Sequence, residues 1–305
     1  PETPLEAYIM AEAADAAGLP PGVLNMLPAG REVSDRLIRN HGIDKVSFTG
    51  STAVGKHIAA VCAERVARVG LELGGKSAAI VLDDIAIEKV LPTLIPASTL
   101  NCGQACAALT RVVVSRKRHD AFVEALAATF NNIVVGDPFD QKTQMGPLAM
   151  QRQYERVLGY IEKGRAEATL ACGGKRPPDL KRGYFVQPTV FANVDNSAAI
   201  AQEEIFGPVV SVIPYDTEAD AIRIANDSPF GLNGSVFTED LEKAYYIGRR
   251  IRAGNFTQND WAVDNHLPFG GFKQSGIGRQ NGVEGLEEYL ETKVIFLPQA
   301  PKHLQ

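Results

Sequence analysis

The chain has 305 residues, 45% of them hydrophobic and 22% charged, with 36 acidic and 31 Lys/Arg side chains and a formal net charge of −5. This is the balance of an ordinary globular protein long enough for two domains or one large one. The negative charge and the lack of any Lys/Arg block argue against nucleic acid as a partner, and no apolar run reaches the length of a membrane span. The four cysteines, Cys62, Cys102, Cys106 and Cys172, are spaced too irregularly for a disulfide framework. Their usage fits a reducing compartment, and a cytoplasmic location is expected. Cys102 and Cys106 could be half of a metal site, but no adjacent His or second Cys pair completes it, so no metal is expected.

In chain order, Thr3-Pro4-Leu5-Glu6 reads as a capping box opening a helix that Gly18 closes. A short strand is predicted over Val23 to Leu27, and a helix over Val33 to Asn40. Lys45 to Thr49 reads as a strand running into Gly50-Ser51-Thr52-Ala53-Val54-Gly55 and a helix to about Glu64. Strand, glycine turn and helix make a βα unit whose helix N-terminus can face a phosphate. Thr52 stands where a dinucleotide turn would have its second glycine, so this turn alone is a weak signal. The alternation implies a parallel sheet and an α/β fold.

The run Leu71-Glu72-Leu73-Gly74-Gly75-Lys76 places one acid inside an apolar strand, where ionisation is costly and the pKa should rise toward that of a useful general base. A strand follows over Lys76 to Leu82. The next apolar helix, Ile87 to Leu100, contains Pro92 and Pro96, so a kink or a late start is expected. Then comes Asn101-Cys102-Gly103-Gln104-Ala105-Cys106, a junction of glycine and small residues that presents a thiol ahead of the β-branched run Val112 to Val114. One thiol and one buried carboxylate suggest covalent catalysis followed by base-assisted hydrolysis.

Further helices are predicted over about Asp120 to Asn132, Gln151 to Gly164, Glu218 to Asp227 and Glu239 to Arg252. Strands are predicted over Thr169 to Ala171, Gly183 to Ala192, Val209 to Tyr215 and Gly234 to Thr238. The tail Glu291 to Pro298 alternates and is β-branched, as in an exposed edge strand that invites pairing with another subunit.

Two of these stretches resemble signatures of the aldehyde dehydrogenase superfamily: Leu71 to Lys76 matches LELGGK, and Asn101 to Cys106 matches NxGQxC. Phe48 to Gly55 is similar to its FTGSTxxG cofactor turn, Glu204 to Pro208 to ExFGP, and Pro268 to Gly276 to PFGGxKxSG. Gly254 to Asn259 is an imperfect match to GxVxxN, because Phe256 and Gln258 replace smaller or apolar residues. The resemblance covers nearly the whole chain. It implies two Rossmann-like parallel-sheet domains, with residues 1–75 a partial dinucleotide-binding domain, 76–277 the thiol-bearing domain, and 278–305 a C-terminal helix and oligomerisation strand.

The resemblance also implies a chemistry, the oxidation of an aldehyde to a carboxylic acid with NAD, NADP being possible. Cys106 would be the nucleophile, Cys102 a bystander, Glu72 the base, and the amide of Cys106 the oxyanion donor. Cofactor contacts would come from Gly50, Ser51, Thr52, Val54, Gly55, Leu73, Glu204 and Phe206. Gln258, Asn259 and Trp261 would lie near the aldehyde, although packing between loop and domain suits Trp261 equally well.

The family's first cofactor-fold strands, oxyanion-hole asparagine and adenosine-contacting lysine have no counterpart in this sequence. By that reading the chain would not turn over aldehyde alone. Pro1 would stand where an acid can select NAD, so NAD is expected to be preferred and NADP only weakly excluded. The partners implied are a small aldehyde and further copies of the chain, as a homodimer or homotetramer. Three other readings stay open. An acylating enzyme would pass its thioester to coenzyme A, which a water-activating Glu72 opposes. A cysteine hydrolase or acyltransferase would need a pairing motif that none of His41, His57, His119, His266 and His303 supplies. The third is a non-catalytic fragment that needs a partner.

Overall fold

Residues 2–302 are described in a computed structural model, and their strands gather into two principal sheets that the chain enters in turn. Pro1, with the cofactor-selectivity expectation placed on it, and residues 303–305 lie outside the described residues.

Helix α1 (Leu5–Ala16) starts from Pro4 with no side-chain cap, so the capping box predicted at Thr3 does not form. Gly18 closes it in the left-handed conformation (φ 72°), as a residue without a Cβ can. Helix α2 spans Arg31–Ile38. The strand predicted over Val23 to Leu27 is absent: no described strand lies beside this run, and Val23 and Leu27 are largely exposed. A strand exists only as part of a ladder, so apolar character without a neighbour leaves an extended loop.

Strand β1 (Lys45–Thr49), helix α3 (Thr52–Glu64) and strand β2 (Arg68–Glu72) form the βα unit foreseen from the glycine turn. The two strands are parallel, with Lys45 opposite Arg68 and Thr49 opposite Glu72. Between Glu72 and β3 (Ser77–Val81) the chain leaves this sheet for the second one. Helix α4 (Ile87–Thr99) starts where the apolar pattern starts and runs through both prolines. Pro92 and Pro96 both face solvent, one turn apart. The carbonyls they leave without an N–H can therefore turn to water, while buried Val90, Leu94 and Ala97 hold the other face.

After the thiol-bearing loop come β4 (Leu109–Ser115), α5 (His119–Asn131), α6 (Gln151–Glu167), β5 (Thr169–Cys172) and β6 (Thr189–Ala192). The predicted strand from Gly183 forms only in its last four residues: Gly183 is left-handed (φ 78°), and Pro188 removes a ladder donor just before β6 begins. Next are α7 (Ala199–Gln202), β7 (Val209–Tyr215), α8 (Glu218–Asn226), β8 (Phe230–Gly231), β9 (Gly234–Phe237), α9 (Leu241–Gly248) and β10 (Thr257–Gln258). The chain closes with β11 (Phe272–Lys273), β12 (Gly276–Ile277) and α10 (Gly282–Glu287).

The second sheet has seven strands in the order β10-β9-β3-β4-β7-β6-β5, all parallel except the edge strand β5. Its faces follow the two-residue period of a strand. Val113 and Ile80 point into a cluster with Val157, Ile161, Ile224 and Ile247. Val112, Val114 and Val81 point into another with Leu94, Phe122, Leu126 and Phe130. Helices α6, α8 and α9 thus cover one face and α4 and α5 the other. The first sheet is smaller: β12 adds antiparallel to β2, with Gly276 opposite Glu72, and the third cluster holds only Ile58, Cys62, Leu71 and Leu73 as buried members.

The segment after β12 returns to the first sheet through Lys45, which contacts the carbonyl (2.8 Å) and carboxylate (2.9 Å) of Glu288, and through Arg68 on Glu291 (2.6 Å). The edge strand predicted over Glu291 to Pro298 does not form: no described strand pairs with it, and Phe296 is 93% exposed.

Candidate active site

The site lies where the chain crosses between the sheets. Glu72 ends β2, and its backbone carbonyl accepts the N–H of Gly50 (3.0 Å). Its side chain is only 4% exposed, and neither carboxylate oxygen has a hydrogen-bond partner among the described residues. A methyl group on Gly270 would come within 2.7 Å of one of those oxygens, so that glycine leaves room for the carboxyl. Desolvation pushes the carboxyl up to about 7, with Arg279 opposing and Glu288 reinforcing the shift.

The next residues are fastened by Ser275. Its carbonyl accepts the N–H of Leu73 (2.8 Å), its hydroxyl donates to the carbonyl of Gly74 (2.7 Å), and the same hydroxyl accepts the N–H of Gly231 (3.0 Å). That is how the serine of the Pro268 to Gly276 motif shapes the site. Gly74 and Gly75 have no space for a side chain: the Glu204 carboxylate abuts the first and the backbone carbonyl of Cys106 the second. The N–H of Gly75 donates to Glu204 Oε1 (3.1 Å). One glycine pair therefore brings a carboxylate and the thiol-bearing backbone against the same short segment.

The thiol loop is built on backbone that most residues avoid. Asn101, Cys102 and Gly103 are all left-handed, with φ of 51°, 63° and 71°. Gln104 braces the loop by donating to the Asn101 carbonyl (2.8 Å) and accepting from the N–H of Ala149 (3.1 Å). Cys102 points inward, its thiol donating to the Gly146 carbonyl (3.3 Å), and burial pushes that thiol up to about 12. Cys106 is half-buried. Burial raises its thiol too, with the Glu204 carboxylate adding and Glu72 contributing less, while the N–H groups of Ala107 and Cys106 act in the opposite sense. Of the two cysteines, Cys106 is the one with access and with amide donors for a thiolate.

The remaining predicted residues fall into three groups. Ser51 caps α3, its hydroxyl accepting from the N–H of Val54 (3.5 Å), and Gly55 packs against Leu73 where any side chain would collide. Gly50, Ser51 and Val54 are exposed and Thr52 half-buried, so the N-terminus of α3 is open to solvent. Phe206 is left-handed (φ 60°) and 37% exposed. Gln258 and Asn259 both donate side-chain amide N–H to the carbonyl of Thr238 (3.1 and 2.8 Å), and Asn259 also accepts the Thr238 N–H (2.9 Å). They clamp the end of β9. Trp261 does reach the thiol loop, as its indole N–H donates to the Ala107 carbonyl (2.8 Å).

Three site residues escaped the sequence reading. Asn233, 5% exposed, also donates to the Ala107 carbonyl (3.3 Å). Lys76 is 2% exposed with no hydrogen-bond partner for its amine among the described residues. Burial first, and the nearby Arg111 cation second, bring it down to about 7. Arg279 is the cation beside Glu72. A polar Asn between Leu232 and Gly234, at the start of an apolar strand, was the one available signal for Asn233.

Residues 1–295 match the model of the aldehyde dehydrogenase family. The chain belongs to that family. It is 47% identical over 295 residues to a geranial dehydrogenase of Castellaniella defragrans, covering 97% of this chain and 62% of that protein. It is 43% identical to a betaine aldehyde dehydrogenase of Brucella melitensis, over 97% and 61% of the two chains. The crystal structure of a Mycobacterium tuberculosis aldehyde dehydrogenase complexed with NAD+ superposes with a TM-score of 0.95 at 49% identity, over 97% of this chain and 62% of that one. The chain thus spans about 60% of the length of the relatives it matches. The aldehyde dehydrogenase fold expected from the motifs is the fold of these neighbours.

Proposed function

We propose that the whole protein oxidises an aldehyde to a carboxylic acid with NAD, using Cys106 as nucleophile and Glu72 as base. The observation that carries this reading is the Glu72 carboxyl, buried without a hydrogen-bond partner among the described residues and lifted to about 7, on the segment whose Gly75 abuts the Cys106 carbonyl. A base of that strength is half ionised near neutrality, where general-base catalysis is most effective.

The cofactor fits the residues present. In the turn Gly50 to Gly55 the N-terminus of α3, with Ser51 and Thr52 at its start, suits a pyrophosphate, the N–H groups of Gly50, Val54 and Gly55 being bonded to Glu72 and Ser51; Leu73 packs against Gly55, and Glu204 and Phe206 lie by Gly103 and Ala105 of the thiol loop for the nicotinamide end. The Glu204 carboxylate takes the Gly75 N–H on Oε1 and keeps Oε2 to accept ribose hydroxyls. When bound, NAD supplies the hydride acceptor. The chain's own residues do the rest. The Cys106 thiol gives its proton to solvent, the thiolate adds to the carbonyl carbon, and the Cys106 N–H receives the oxyanion. The thioester left on Cys106 is attacked by water that gives its proton to Glu72, and the acid departs.

The NAD+ complexes of the Mycobacterium tuberculosis and Staphylococcus aureus neighbours support NAD as the cofactor. Exposed Val294, Ile295, Phe296 and Leu297 support assembly as a homodimer or homotetramer, and the unpaired cysteines support a cytoplasmic location. The segment Leu73 to Lys76, between the sheets, supports a domain division after residue 75, and the return through β12 a second one after 277. In the whole protein, Glu72→Gln should keep the first burst of NADH and slow steady turnover about 10²–10⁴-fold. Unchanged steady turnover would remove Glu72 from the role of base.

A further inference from the structure

We infer that Trp261 is a positioning residue for Cys106, acting through the carbonyl of Ala107 with Asn233 as its partner. The inference deepens the reading of Cys106 as nucleophile, and rests on it only for its consequence in catalysis. The Ala107 carbonyl receives two side-chain donors, the indole N–H of Trp261 at 2.8 Å and the Asn233 amide at 3.3 Å. Both come from the β9–β10 side of the large sheet, more than a hundred residues away in sequence. Ala107 is the residue next to Cys106, and its N–H acts on the thiol in the sense that favours the thiolate.

The rest of the turn is held too. Ala108 N–H bonds to the Ala105 carbonyl (3.1 Å), and Gly75 closes on the Cys106 carbonyl. Ala107 and Ala108 are 5% and 3% exposed, so their backbone cannot exchange these partners for water. What fixes Ala107 therefore fixes the backbone that adjoins the nucleophile. Trp261 is itself held, its ring packed against the Phe122 cluster and its backbone N–H on the Asp260 carboxylate (2.6 Å). The Asp260 carbonyl in turn accepts the Ser235 hydroxyl (2.9 Å). A loop that the motifs place beside the aldehyde thus reaches past the substrate side and grips the nucleophile's own turn.

The test uses the full 305-residue chain and reads thiol chemistry, so it stands whether or not aldehyde oxidation is confirmed. The rate of iodoacetamide modification at the Cys106 peptide is followed from pH 6 to 10, in the parent and in Trp261→Phe. Because Trp261 is the only tryptophan, biosynthetic replacement with 3-benzothienylalanine gives a second variant that keeps the ring and loses only the N–H. Losing one hydrogen bond of ordinary strength should slow modification at pH 7 about three- to tenfold. The profile should move to higher pH with its alkaline plateau unchanged. An unmoved profile in the benzothienylalanine protein overturns the inference, as does a lower plateau without a shift, which would mean altered access to the sulfur. If Trp261→Phe does not fold, the isostere decides alone.

Discussion

Strands β3, β4 and β7 are buried along nearly their whole length and sandwiched by helices on both faces, whereas every residue of β1 is half-buried or exposed. Helices α1 and α2, which precede the smaller sheet in the chain, bury no residue at all, while α5 alone buries Phe122, Leu126 and Phe130. The candidate chemistry follows the same division. Cys106 stands at the entry to β4, on the well-packed side, and Glu72 at the end of β2, on the lightly packed side. A nucleophile needs a fixed backbone, and Ala107 has one. A base that must be lifted to about 7 needs burial without partners, and Glu72 gets it from Gly270 and β12 rather than from a deep core.

If the large sheet carries the stability, the largest effect should come from its core. Phe122→Ala empties a fully buried position packed against β4 and β7. It should cost about 3–5 kcal/mol in denaturant unfolding. A loss below about 1 kcal/mol would show that the two halves do not differ as described.

Glu72 should produce the next effect, and its sign depends on pH. In the fold the carboxyl titrates near 7, while its ordinary value is 4.5. The folded chain thus holds a proton that the unfolded chain releases between about pH 4.5 and 7, so this group lowers stability as pH rises through that window and by the full amount above it. Glu72→Gln cannot ionise. Its unfolding free energy should match the parent's near pH 4 and exceed it by up to about 3 kcal/mol at pH 8. Equal stability at both pH values would mean that the carboxyl is not desolvated.

Much of this was legible beforehand, for identifiable reasons. β1 and β7 appear with their predicted bounds because each is paired along its whole length, β1 by β2 and β7 by β6 and β4 in turn. The run Val23 to Leu27 and the tail from Glu291 carry as good a β pattern but have no described neighbour to pair with. Pattern reports which side chains want burial, and pairing decides whether a strand forms. The same limit explains the site. Glu72 and Cys106 stood in recognisable stretches, but Asn233 and Arg279 matter only through what the topology sets beside them. The bonds of Gln258 and Asn259 to Thr238 are likewise set by topology and carry no signal in the sequence.

The smallest effect would sharpen the comparison most. Val66, between α3 and β2, is left-handed (φ 56°) and 91% exposed. A β-branched residue there costs roughly 1–2 kcal/mol, and glycine removes that cost while giving back roughly 0.5–1 kcal/mol of chain entropy in the unfolded state. Val66→Gly should therefore stabilise its surroundings by about 0.5–1 kcal/mol. Native-state hydrogen exchange shows where the gain goes. If the small sheet opens separately from the large one, amides of β1 and β2 should slow about two- to fivefold. Those of β4, whose exchange would then be governed by other openings, should not change unless they exchange by global unfolding. Equal slowing in both sheets at low denaturant, where local openings dominate, would mean that they unfold as one unit.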